Sequence, residues 1–133
     1  MKKILSVFLC GIMLLCFTAC GKNTNNQATA IFNTKDIKRI TFFAYYGNGK
    51  GSDVPAEHLD EFITWLDSFM IDKEAPELLP PGTNTINVEI EYFDGTIVKR
   101  GLDTATVDGI TYYIKGDTAP ECYGEIVSKT SLN

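Results

Sequence analysis

Two Asp-Gly pairs, Asp94-Gly95 and Asp108-Gly109, constrain the fold of this chain more than any other feature. Asp-Gly supplies the positive φ that tight hairpin turns need, so each pair, flanked by strand-forming residues, predicts an antiparallel hairpin. Ahead of the first pair, Ile86 to Tyr92 alternates strictly. Ile86, Val88, Ile90 and Tyr92 turn toward a core, and Asn87, Glu89 and Glu91 turn away from it. Register then follows from setting apolar against apolar. A two-residue loop at Asp94-Gly95 would place Ile90 opposite Lys99, whereas a three-residue loop places it opposite Val98, so the longer loop is predicted. At Asp108-Gly109 a two-residue loop sets Val107 opposite Ile110 and Ala105 opposite Tyr112.

The rest of the chain fits around these hairpins. Ile37 to Tyr46 is rich in β-branched and aromatic residues and apolar on both faces, which predicts a central strand, broken by the glycines of Gly47 to Asp53. A helix is predicted over Val54 to Ile71, capped by Ser52 or Asp53, with Pro55 in its first turn. Leu59, Phe62, Ile63, Leu66, Phe69 and Met70 would form its buried stripe. The first four of these are expected to pack on Ile86, Val88, Ile90 and Tyr112. Lys73 to Asn84, with Pro76, Pro80, Pro81 and Gly82, reads as an extended crossing loop. Thr118 and Glu121 have capping-box spacing around Pro120, ahead of a short terminal helix with Tyr123, Ile126 and Val127 on its apolar edge. The expected class is α+β: an antiparallel sheet of about five strands, one main helix on one face, and a short C-terminal helix.

The N-terminus is an address rather than part of the fold. Lys2 and Lys3 precede an uncharged apolar run from Ile4 to Ala19. Sixteen residues make roughly 24 Å of helix, short for a bilayer core of about 30 Å, which suits a signal segment better than a membrane span. The run ends in Phe17-Thr18-Ala19-Cys20. This resembles the lipobox of bacterial lipoprotein precursors, with Phe17 where Leu is usual. The resemblance implies cleavage before Cys20 by signal peptidase II, a diacylglycerol on the Cys20 thiol, and residence on the extracytoplasmic face of the bacterial cell membrane. Residues 1–19 would then be the signal peptide, 20–30 the lipidated cysteine and a polar tether, and 31–133 a small α+β domain.

Charge and cysteine content narrow the function. Twelve Lys and Arg against 17 Asp and Glu leave no basic footprint for nucleic acid. Removing residues 1–19 would leave ten basic residues and a net charge of −7. An anionic membrane surface repels such a domain, so attachment depends on the lipid. Cys10 and Cys16 fall in the signal segment and Cys20 is the lipidation site, so only Cys122 remains, and neither an internal disulfide nor a CxxC metal site can form. With no His near it in sequence, Cys122 reads as a buried small hydrophobe.

Familiar constellations are missing. Gly47 to Asp53 lacks both P-loop and GxGxxG spacing. His58, the single histidine, has no evident partner and reads as part of a solvated helix face, and no serine lies in a GxSxG setting. Asp103 and Asp108 form no EF-hand pattern. The reading is therefore non-enzymatic, with no cofactor and no metal: a lipid-anchored binding or interaction module. The alternatives are a small envelope hydrolase without a recognisable motif, or a folded spacer or regulatory subunit of an envelope complex. If the strands alternate as read, Phe43, Tyr45, Phe93 and Tyr113 lie beside Glu89 and Glu91 on the sheet face away from the main helix. Left open, that face would suit an envelope protein or a glycan, with Tyr45 and Tyr113 as stacking platforms. Otherwise the terminal helix, or Leu78 and Leu79 of the proline loop, would cover it.

Overall fold

A computed structural model of the protein describes residues 30–44 and 49–131. The predicted signal segment, Cys20 and Tyr45 lie outside the described residues. Strand β1 (Ile37–Ala44) leads through the short β2 (Ser52–Asp53) and a 3-10 turn (Ala56–His58) into helix α1 (Leu59–Asp67). Strands β3 (Met70–Glu74), β4 (Ile86–Tyr92), β5 (Ile97–Gly101), β6 (Thr104–Val107) and β7 (Ile110–Lys115) follow, and helix α2 (Tyr123–Ser131) closes the described chain. The class is α+β, as expected. Where one sheet was expected, however, there are two antiparallel sheets, ordered β2-β1-β4-β5 and β3-β7-β6.

Both hairpins keep the register that apolar matching required. Ile90 stands opposite Val98, and Val107 and Ala105 stand opposite Ile110 and Tyr112. In the first turn Gly95 takes φ +88° and the Asp94 carboxylate accepts the Thr96 N–H at 2.8 Å. In the second, Asp108 and Gly109 both have positive φ, the requirement of a type I′ turn.

The sheets divide at Leu102–Asp103, and Asn84 clamps the corner. Its N–H donates to Asp103 Oδ2 at 2.6 Å, and its side-chain amide donates to Thr104 Oγ1 at 2.7 Å. Its Oδ1 accepts the N–H groups of Asp103 and Thr104, at 3.0 and 3.2 Å. Asn84 has φ +55°, which Asn tolerates better than most residues. Gly101 makes the approach possible, because a Cβ there would collide with the Asn84 amide.

Helix α1 is shorter than predicted at both ends. Ser52 and Asp53 are drawn into pairing with Phe42 and Thr41 and cap nothing. The Thr41 hydroxyl occupies Asp53 Oδ1 at 2.6 Å. At the other end Ser68 donates to the Trp65 carbonyl at 2.6 Å and accepts the Asp117 N–H at 2.8 Å. Met70, assigned to the stripe, and Ile71, the predicted helix end, instead pair in register with Lys115 and Ile114 and stay exposed. Tertiary strand pairing has overridden helical periodicity.

One core joins the two sheets. Ile40, Phe42, Val88 and Ile90 are all but fully buried beneath Phe62 and Leu66 of α1. The Phe42 ring meets Phe62 on one side and Tyr123 of α2 on the other, at centroid distances of 5.7 and 5.4 Å. Both helices therefore cover the same face of the first sheet. Tyr112, expected under α1, belongs instead to the second sheet, opposite Ala105 and Glu74. The terminal helix begins at Tyr123, later than the capping-box spacing suggested, with Pro120 in the preceding turn. Its apolar edge is the expected one: Ile126 is buried, and Tyr123 and Val127 are half-buried. Trp65, outside the predicted stripe, is buried too, because the segment before α2 folds over it. Its indole N–H donates to the Asp117 carbonyl at 2.9 Å.

Candidate functional site

The face of the first sheet opposite the helices carries Arg39, Thr41 and Phe43 from β1, and Asn87, Glu89 and Glu91 from β4. A bulge in β1 between Ile37 and Arg39 shapes it. The extra residue sets two cations on one carboxylate, with Lys38 and Arg39 each 2.7 Å from Glu91. The Lys38 hydrogen bond, helped by the nearby Arg39 charge, holds the Glu91 carboxyl below its ordinary range. A general acid needs the opposite shift, so Glu91 is not poised to act as one. Glu89 stands across from Thr41 on one side and Lys99 on the other.

The predicted aromatics do not form one platform. Phe43 stays on this face with Glu89 and Glu91, but the Lys99 ammonium lies over its ring, 3.9 Å from the centroid. The backbone at Gly51 passes close to the same ring, where a Cβ would meet it at 2.6 Å. Phe93 is a turn residue rather than a strand residue, 74% exposed, and lines a cleft with Lys35, Asp36, Tyr92 and Arg100. That cleft is roofed by the segment before β1, fixed by hydrogen bonds from the Tyr92 hydroxyl to the Asn33 carbonyl and from Arg100 to the Ile31 carbonyl. Burial there raises the Tyr92 phenol above its ordinary value. Tyr113 lies on the second sheet, with the Lys73 ammonium 5.7 Å from its ring. The expected covers fall differently, and Leu79 of the proline loop lines a cleft with Asn87 and Gly101 at the edge of this face. Helix α2 packs on the Phe42 side, and Leu78 is 87% exposed.

A second cluster brings Cys122 to the neighbouring pair His58 and Glu61 from a distant part of the sequence. His58 ends the 3-10 turn, Glu61 sits one turn later in α1, and Cys122 immediately precedes α2. The His58 Nδ1 and Glu61 Oε2 atoms are 3.4 Å apart. One donor atom each from His58, Glu61 and Cys122 lies within 4.8 Å of the other two. His58 and Cys122 are half-buried and Glu61 is exposed. The segment bearing Cys122 is fixed on α1 from three directions: the Trp65–Asp117 and Ser68–Asp117 hydrogen bonds, and the Trp65 ring against Tyr123 at 5.1 Å. His58 therefore pairs with Glu61 and has Cys122 nearby, while Cys122 also packs, partly buried, against the core. The available signal was scarcity, since these are the one histidine and the one cysteine beyond residue 20.

No family model matches the chain, and no curated protein or solved structure matches it.

Proposed function

We propose that this chain is a lipid-anchored binding module on the extracytoplasmic face of a bacterial cell membrane, held there by diacylglycerol on Cys20, and that its partner is an envelope protein. The anchoring half of the proposal rests on Lys2, Lys3, the apolar run and Phe17-Thr18-Ala19-Cys20. Two acyl chains on one cysteine suffice for stable attachment, where a single chain is marginal.

The observation that carries the binding half is one-sided packing. Both helices lie on the Phe42 face of the first sheet. The opposite face presents a strip of both charge signs, with Ile97 57% exposed at its edge strand. A protein surface of mixed charge complements such a strip. A glycan would want a bare aromatic ring, and Lys99 already occupies the Phe43 ring.

Two measurements test this. Cys20→Ser should abolish incorporation of a labelled fatty acid, and labelling that survives refutes the anchor. A photo-crosslinking residue placed at Ile97 in the cell should capture a protein that one placed at Leu78 does not. Equal capture at the two positions refutes the binding face.

A further inference from the structure

We infer that His58, Glu61 and Cys122 form a binding site for a single zinc-type divalent transition-metal ion. The three donors are an imidazole nitrogen, a carboxylate oxygen and a thiolate sulfur, the mixture that borderline ions such as Zn2+ accept. Their arrangement is a triangle rather than a relay. A thiol–imidazole–carboxylate relay places the thiol and the acid at opposite nitrogens of the ring, far from each other. Here one donor atom from each side chain lies within 4.8 Å of the other two, so the carboxylate and the sulfur stand on the same side of the imidazole.

The distances suit an ion after modest closure. Zinc at its usual bond lengths of roughly 2.0–2.3 Å holds tetrahedral donors roughly 3.3–3.7 Å apart. His58 and Glu61 have side chains 41% and 53% exposed, free to rotate inward. Cys122 is the fixed point, because its segment is tied to Trp65 and Ser68. Binding displaces the thiol proton to solvent, so affinity falls as the pH is lowered. Three protein ligands leave a fourth position for water or for a group from a ligand.

The test uses the full chain in detergent under a non-thiol reductant. Cys10→Ser, Cys16→Ser and Cys20→Ser together leave Cys122 as the sole thiol. Cobalt(II) serves as the probe, because its thiolate complexes show a charge-transfer band. The expected result is one Co2+ per chain, a band that Zn2+ abolishes by displacement, and loss of the band in Cys122→Ser. His58→Ala and Glu61→Gln should each weaken binding at least about tenfold, since losing even an outer partner of a metal ligand costs roughly 10–100-fold. Unchanged circular dichroism in these two variants separates ligand loss from unfolding. Absence of the band in excess Co2+ overturns the inference. Binding that is equally strong without His58 and Glu61 overturns it too, because that is an isolated thiol, and failure of Zn2+ to displace Co2+ overturns the assignment to a zinc-type ion.

Discussion

Asn84 holds the corner between the two sheets, and its replacement separates two energies that usually travel together. The side chain makes three hydrogen bonds, one to Thr104 Oγ1 and two from the Asp103 and Thr104 N–H groups. A net 0.5–1.5 kcal/mol for each, taken at the low end because the corner is half-exposed, gives about 1.5–2.5 kcal/mol. The backbone adds its own share, since φ is +55°. An alanine held in the left-handed region costs about 1–2 kcal/mol that glycine does not. Asn84→Ala should therefore lose about 2.5–4.5 kcal/mol, and Asn84→Gly about 1–2 kcal/mol less than that. Urea unfolding of the full chain, followed by Trp65 fluorescence, measures both. Gly101→Ala completes the test. Its Cβ collides with the Asn84 amide, so it should destabilise the native chain more than the Asn84→Gly variant. If Asn84→Gly costs as much as Asn84→Ala, or either costs under about 0.5 kcal/mol, the clamp reasoning fails.

Two more outcomes follow from the core and the outer face. Leu66 is 1% exposed beneath the helix, so Leu66→Ala should cost about 2–5 kcal/mol in the same unfolding assay, and a loss under about 0.5 kcal/mol would place that stripe in solvent. The Glu91 carboxyl is held below its ordinary 4.5 by the Lys38 hydrogen bond. Its contribution is present above that value and lost as the pH falls through the depressed one. The stability advantage of the native chain over Glu91→Gln should therefore shrink steadily in acid below about pH 4.5; a difference that stays constant to pH 2 would mean the Lys38–Glu91–Arg39 cluster is absent in solution.

What was legible in the sequence was local, and what was not depended on pairings between distant segments. The Asp94-Gly95 and Asp108-Gly109 turns reveal themselves because turn chemistry and apolar alternation lie within a few residues and agree on one register. Met70 continues the helical spacing of Phe62 and Leu66, and Ile71 falls in the same predicted helix. They become strand only because β7 offers them a ladder, and no helical period contains that information. The same holds for Ser52 and Asp53, plausible helix caps by type, which β1 recruits as a short edge strand. Trp65 escaped the stripe because the segment that buries it lies about fifty residues on, at Asp117.

The functional clusters follow the same division, with a sharper consequence. A face read from alternation assumes one continuous sheet. The change of sheet at Leu102–Asp103 sends Tyr113 to another surface, and the three-residue turn takes Phe93 out of the strand. Among the described residues only Phe43, Glu89 and Glu91 remain together, and a bulge that no alternation predicts gives Glu91 two cations. His58 and Cys122 went the other way, from unremarkable singles to neighbours, because both helices pack on one side of the same sheet. The two helices also touch each other, through the Trp65 and Tyr123 rings at 5.1 Å. The ends of α1 and α2 do so where His58, Glu61 and Cys122 stand, so packing the core through Phe42, Phe62 and Tyr123 is also what assembles the three donors. A substitution that loosened this aromatic contact without unfolding the sheets should therefore weaken metal binding without touching a ligand. Tyr123→Leu, which keeps the apolar bulk and loses the ring contacts to Phe42 and Trp65, is that substitution. With the native fold retained by circular dichroism, Co2+ affinity should drop several-fold; affinity unchanged in Tyr123→Leu would mean that the donors do not depend on the packing that joins the helices.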